Sequence, residues 1–225
     1  MTSDPKQPAE EFNFGVATLG NPDSAATNVR RTYVVMGVSR GGTSAVAGVL
    51  SHFGIFMGKT GEAPLFEDLP MNRALAGPSD KLDALISNYN DAHDIWGFKG
   101  NAISQDFDDV LRRLRNPVVL VVFRDLLAIA NRARLSADRD LATIMQRQAK
   151  EYQRIADFIA RGAHYFVLVS FEKLCAYPAQ VTERIASSLA LEVTDQQLVA
   201  ARNFIEPAPA DYLRVSRANK PSGPK

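Results

Sequence analysis

Short apolar runs alternate along the chain with longer segments whose apolar residues recur at helical spacing. The runs at 32–38, 118–123 and 165–169 predict strands, and a weaker run at 95–98 predicts a fourth. Few polar residues interrupt these runs, so we expect central strands of a parallel sheet that is covered on both faces. Helices are predicted over 44–53, 104–114 and 141–159, and another with Pro178 in its first turn. This alternation predicts an α/β fold.

The two ends of the chain show no sustained apolar period. Residues 1–31 are rich in Pro, Gly, Ser, Thr and Asn, and they predict a mobile N-terminal arm. Residues 218–225 predict a flexible C-terminal tail by the same criterion. The 225-residue chain is 46% hydrophobic, which suits one medium domain, and we place that domain at 32–217.

Composition narrows the classes of function. Lys and Arg total 26 and Asp and Glu total 25, so the net charge of +1 provides no general attraction to nucleic acid, and we expect no nucleic-acid partner. The single cysteine and three scattered histidines offer no disulfide and no metal-ligand spacing. The N-terminus lacks the pattern of a signal peptide, and no apolar run approaches the roughly 20 residues of a transmembrane segment. The cytoplasm is therefore the expected location.

The most informative segment is VVMGVSRGGTSAVAGVL at 34–50, where a strand leads through a glycine-rich turn into a helix. Glycines allow backbone N–H groups to face an anion, and the helix N-terminus adds a partial positive charge. Arg40 supplies a full charge. The spacing from Gly37 to Gly42 is that of a nucleotide P-loop, although Thr43 stands where the lysine would be. We therefore predict a P-loop-type α/β/α fold of three layers with a central parallel sheet.

The residues of this loop, Arg40-Gly41-Gly42-Thr43-Ser44, resemble the Arg-Ser-Gly-Thr-Ser loop of bacterial sulfotransferases that use 3′-phosphoadenosine 5′-phosphosulfate (PAPS). Further pieces resemble the same family in the same order along 32–217. They are HFGIFMG at 52–58, PLFED at 64–68, Phe123-Arg124-Asp125, FEKL at 171–174 with Pro178, and FIEP at 204–207 followed by Leu213-Arg214. The order of the pieces carries the resemblance.

The resemblance implies transfer of a sulfuryl group from PAPS to a hydroxyl or amine of a small molecule, lipid or glycan, without a required metal. It implies that the loop binds the 5′-phosphosulfate through Gly41, Gly42, Thr43 and Ser44, and that Arg40 also stabilises the charge of the leaving group. By analogy with phosphoryl transfer, we expect positioning and electrostatic stabilisation to dominate catalysis.

The resemblance assigns the 3′-phosphate to Arg124, which ends the second strong strand, and adds Arg214 to the cofactor ligands. The family usually has a serine eight residues after that arginine, but this chain has Asn131 and Arg132 there, and Leu126 replaces a common proline. Either Arg132 replaces the serine contact or the 3′-phosphate site is altered, and a solvated position on a helix remains the alternative role for Arg132. A surface ion pair remains the alternative role for Arg124.

Two residues outside the loop complete the expected catalytic set. The Lys-Thr-His segment of cytosolic sulfotransferases has its nearest counterpart in Lys99-Gly100-Asn101, so the histidine is absent. Lys99 is expected to help bind the leaving phosphate or the acceptor, with a solvated lysine at a strand end as its alternative role. Glu67 is the preferred general base over Asp68, with capping of a helix near Leu69 as its alternative role. Loops at 59–64 and 77–93 are expected to cover the crevice.

Two other functions remain open from the sequence. A non-catalytic nucleotide-binding module is compatible with the missing histidine, because a fold does not fix a function. A P-loop phosphotransferase is a further alternative, although Thr43 in place of lysine disfavours it. The sequence leaves the acceptor and the oligomeric state open, a homodimer included.

Overall fold

The computed structural model of the protein describes residues 14–21, 30–59, 65–100, 107–134, 140–162 and 164–205. Its described strands are β1 Val16–Leu19, β2 Arg31–Gly37, β3 Ile95–Lys99, β4 Pro117–Phe123 and β5 Tyr165–Ser170. They form one sheet in the order β1-β5-β4-β2-β3. Strands β2 to β5 are parallel, and β1 pairs with β5 in the antiparallel direction.

The apolar runs correspond to the four parallel strands. These strands are largely apolar because helices cover both faces of the sheet. Every residue of β2 is buried, and in β4 only the two end residues are partly exposed. The four predicted strands are confirmed, and their ends shift by at most one residue. Parallel pairing requires a crossover after each strand, which the helices supply.

The described residues form nine helices. They are α1 Thr43–His52, α2 Leu69–Leu75, α3 Ser79–Ala92, α4 Phe107–Arg113, α5 Leu126–Arg134, α6 Leu141–Ala160, α7 Phe171–Ala176, α8 Pro178–Ser188 and α9 Asp195–Phe204. One apolar core joins α1, α8 and α9 to one face of the sheet, with Val49, Ile185 and Ala201 inside it. A second core joins α3, α4 and α6 to the other face. The predicted α/β class with three layers is confirmed.

The described part of the expected N-terminal arm differs from the prediction. Residues 16–19 form β1, whose backbone pairs with β5, and the side chain of Val16 is buried. The other three residues of β1 are exposed, so the apolar pattern of this strand was too weak to recognise. The rest of the arm, at 1–13 and 22–29, lies outside the described residues, as does the expected tail at 218–225.

The expected loop at 77–93 is mostly helix α3. Leu82, Ile86 and Tyr89 are buried at helical spacing against β3 and the neighbouring helix α2. The prediction of a loop at 77–93 was therefore wrong, although these three residues follow a helical period in the sequence. Of the other expected loop, 60–64 lies outside the described residues. Among the helices that the structure describes, none is long and apolar enough to cross a membrane.

Candidate anion-binding site

The glycine loop follows β2 at the edge of the sheet where the parallel strands end. Within it, the Gly41 amide donates a hydrogen bond of 2.9 Å to the Val38 carbonyl, which closes a tight turn. Arg40 and Gly42 have left-handed backbones, with φ of 68° and 94°. Gly42 must be glycine for a second reason, since a Cβ there would overlap the ring of Phe171. The predicted strand, turn and helix are confirmed in this segment.

The amide groups of the loop differ in the hydrogen bonds that they already make. The Gly41 N–H, which was predicted to donate to the anion, donates to the Val38 carbonyl in this structure, and its contact with an anion stays a prediction. Helix geometry leaves the first amides of α1, those of Thr43 and Ser44, without acceptors inside the helix. These amides and the partial positive charge of the helix terminus remain for an anion.

Lys99 enters the site from the end of β3, the strand next to β2. Its ammonium Nζ donates hydrogen bonds to the Leu65 carbonyl at 2.7 Å, the Ser44 hydroxyl at 3.1 Å and the Glu67 carboxylate at 3.3 Å. Lys99 is 4% exposed. Burial lowers the pKa of Lys99, and the charge of Arg40 lowers it further, whereas Glu67 acts to raise it. A buried ammonium with three defined partners is a positioned charge, not a solvated one.

Glu67 and Asp68 have separate roles. Asp68 caps α2 through the amide of Met71 at 3.2 Å, accepts the Tyr89 hydroxyl at 2.8 Å and is fully buried, and burial raises its pKa. The capping role considered for Glu67 therefore belongs to Asp68. The side chain of Glu67 is 33% exposed and pairs with Lys99. The structure thus brings together two of the three predicted catalytic residues.

Arg124, which follows β4, contacts the loop from its other side. Its Nη1 donates to the Arg40 carbonyl at 3.0 Å, and its guanidinium lies 4.5 Å from the centre of the Phe171 ring. Its Nε is buried and has no hydrogen-bond partner among the described residues. The Asp125 carboxylate accepts the Ala128 amide at the start of α5, and no ion pair joins it to Arg124 among the described residues. Arg124 is thus fixed beside the anion loop.

Two aromatic residues that fix Arg124 were not among the predicted site residues. The Tyr152 hydroxyl accepts the Arg124 amide at 2.9 Å and donates to the Arg124 carbonyl at 2.7 Å, so it holds the backbone at both groups. The Phe171 ring stacks against the Arg124 guanidinium and packs against Gly42. Phe171 begins the FEKL motif, whereas Tyr152 lies within the helix predicted at 141–159, where no motif singled it out.

The remaining predicted cofactor ligands are less defined. Arg132 is half-buried on α5, which packs against α6, the helix that carries Tyr152. Arg214 lies outside the described residues. The structure therefore joins the loop, Glu67, Lys99 and Arg124 in one set of contacts, and it leaves the roles of Arg132 and Arg214 as predictions.

Comparison with known proteins gives little independent information. No protein-family model matches the chain, and no curated protein matches it. Among solved structures, an unliganded sugar kinase from Janibacter sp. aligns with a TM-score of 0.43 and 21% sequence identity, over 72% of this chain and 95% of that chain. Similarity at this level does not establish a common function.

Proposed function

We propose that the protein is a sulfotransferase that transfers a sulfuryl group from PAPS to a hydroxyl or amine of an acceptor. One observation carries the proposal. The loop has the glycine spacing of a phosphate loop but Thr43 in place of its lysine, and a buried lysine from the neighbouring strand, Lys99, donates a hydrogen bond to Ser44 at the start of the loop helix. Arg40 within the loop adds a second cation.

These groups match the demands of sulfuryl transfer. The acceptor oxygen or nitrogen forms a bond to sulfur, the bond from sulfur to the 5′-phosphate oxygen breaks, and its electron pair stays on that phosphate. The charge that develops on the phosphate oxygen lies within the field of Arg40 and Lys99. Glu67 is the proposed acceptor of the proton that leaves the nucleophile.

The 3′-phosphate of PAPS needs a second anion site, for which Arg124 is the proposed ligand. Its guanidinium uses one N–H on the Arg40 carbonyl, and a guanidinium has five, so donors remain for a phosphate. The buried Nε without a partner among the described residues is compatible with a further acceptor near this side chain. Arg132 is proposed as an additional cation for the same phosphate.

Nucleotide titration tests the proposal directly. By isothermal titration calorimetry, 3′-phosphoadenosine 5′-phosphate should bind about tenfold or more tightly than AMP, because a charge-assisted contact to a phosphate contributes about 1.5–3 kcal/mol. No binding at millimolar ligand would overturn the proposal. Magnesium-dependent ATP turnover that is lost in Ser44→Ala would establish phosphotransfer instead.

A substitution in the loop tests the chemistry. Formation of the sulfated product from PAPS and a panel of alcohols and amines should fall by about 10² or more in Arg40→Ala, since a preorganised charge that stabilises the leaving group is lost. Arg154→Ala is the matched control, because Arg154 is an exposed arginine that pairs with Glu151 on α6. Full activity in Arg40→Ala would refute the assignment of the loop. Binding without transfer to any acceptor would favour a non-catalytic module.

A further inference from the structure

The hydrogen bonds of Lys99 differ in how easily an incoming group could replace them. An ammonium has three N–H donors, and in the described part of the chain Lys99 uses three acceptors. The Leu65 carbonyl is buried and also accepts a hydrogen bond from the Ser44 hydroxyl at 3.0 Å. Because these two partners are bonded to each other, an incoming group would not easily displace either of them from Lys99. Glu67 is the most distant of the three and the most exposed to solvent. An anion that reaches Lys99 would therefore replace Glu67.

The charges favour the same exchange. Lys99 donates a hydrogen bond to Ser44 of the loop that contains Arg40, and the charge of Arg40 lowers the pKa of Lys99. The Glu67 carboxylate supplies the negative charge that pairs with Lys99 there. A phosphate or sulfuryl oxygen bound at the loop would supply negative charge at the same place. Two anions would then compete for the one N–H of Lys99 that Leu65 and Ser44 do not use. They would also repel each other at close range, so only one of them can hold that position.

We propose that Glu67 and the anionic group of the cofactor compete for the same N–H of Lys99, so that loading the cofactor breaks the Lys99–Glu67 ion pair. This inference rests on the proposed function, and it adds an order of events to it. While Lys99 holds the carboxylate, an oxygen of Glu67 is engaged by a cation. Once the cofactor has taken that N–H, the carboxylate turns to the acceptor and receives its proton as the new bond to sulfur forms.

The competition predicts a result that a merely structural ion pair would not give. Glu67→Gln should bind 3′-phosphoadenosine 5′-phosphate about tenfold more tightly than the wild type, even though transfer falls, because the competing carboxylate is gone. The 5′-phosphate of this probe represents the leaving group of PAPS. Calorimetric titration of the full chain measures the gain. Unchanged or weaker binding by Glu67→Gln would overturn the inference.

A double-mutant cycle separates competition for Lys99 from general relief of negative charge. Glu67→Gln should give no gain in a Lys99→Met background, whereas general relief would give the same gain in both backgrounds and would overturn the inference. Glu67→Asp covers the case in which Lys99→Met fails to fold. It keeps the charge but shortens the reach to Lys99, so competition predicts an intermediate gain, and no gain would count against it.

The outcomes also distinguish this inference from the proposed function. If neither the wild type nor Glu67→Gln binds the probe, the proposed function and the inference both fall. If the wild type binds the probe and transfers sulfate but the gain in Glu67→Gln is absent, or is equal in both backgrounds, the proposed function stands and the inference alone is refuted.

Discussion

The contact between Gly42 and Phe171 makes a sharp prediction about the loop. Gly42 has a φ of 94°, and an added Cβ would overlap the Phe171 ring. Gly42→Ala therefore has two costs, the left-handed backbone of a non-glycine residue and the displacement of a ring. The Arg124 guanidinium lies against the Phe171 ring, so displacement of the ring should also move Arg124, the proposed ligand of the 3′-phosphate.

Gly162 allows the two costs to be separated, because it shares the positive φ of Gly42 but not its close contact. Gly162 also has a positive φ, 65°, but a Cβ there would meet nothing within 4 Å. Gly162→Ala should lower the free energy of unfolding by about 1 kcal/mol. The left-handed backbone costs about 1–2 kcal/mol, and the lower conformational entropy of the unfolded chain with alanine offsets part of this cost. Gly42→Ala should lower the free energy of unfolding by about 2 kcal/mol more than Gly162→Ala does, because overpacking a close contact usually costs about this much.

Thermal unfolding and nucleotide titration together test this reasoning. For a chain of this size, 1 kcal/mol corresponds to about 2–4 °C in Tm, so we expect losses of about 2–4 °C for Gly162→Ala and about 6–12 °C for Gly42→Ala. Affinity for 3′-phosphoadenosine 5′-phosphate should fall only in Gly42→Ala. In Gly42→Ala with Phe171→Ala, the second substitution should cost less than it does in the wild type, because the overlap is relieved. Equal losses at the two glycines would refute the argument.

Two further predictions concern tyrosine hydroxyl groups. Tyr152→Phe removes the hydroxyl that bonds to both backbone groups of Arg124, so the preference for 3′-phosphoadenosine 5′-phosphate over AMP should narrow severalfold in titrations, while Arg154→Ala keeps it. Burial raises the pKa of Tyr33 to about 12 from 10.0, so the folded protein holds this proton more tightly and loses stability as the pH rises from 10 to 12. Tyr33→Phe should show a shallower loss in denaturant titrations over that range, and an unchanged slope would contradict the assignment.

Much of the fold could be predicted because burial on both sides of a parallel sheet leaves a strong apolar signal. Strands β2 and β4 carry this signal in nearly every residue. Strand β1 does not, because it lies at the sheet edge with Val16 as its one buried residue, and its position depends on hydrogen bonds to β5. Edge strands of this kind depend on tertiary pairing that no local pattern records.

The candidate site was predictable in its loop but not in its contacts. The glycines and Arg40 lie within six consecutive residues, so their spacing could be recognised. The use of the Gly41 amide by Val38 depends on the turn that the backbone adopts, and the sequence does not specify that turn. The pairing of Glu67 with Lys99 joins residues 32 positions apart and depends on the order of the strands.

Strand order explains how a chain of net charge +1 can concentrate cations at one place. Strand β2 lies between β3 and β4, and all three are parallel, so their carboxyl ends meet at one edge. Lys99 is the last residue of β3 and pairs with Val35 of β2, and Arg124 directly follows β4. Arg40 follows β2 between them. Insertion of a strand between β2 and either neighbour would move one cation about 5 Å further away, so the site depends on this adjacency more than on total charge.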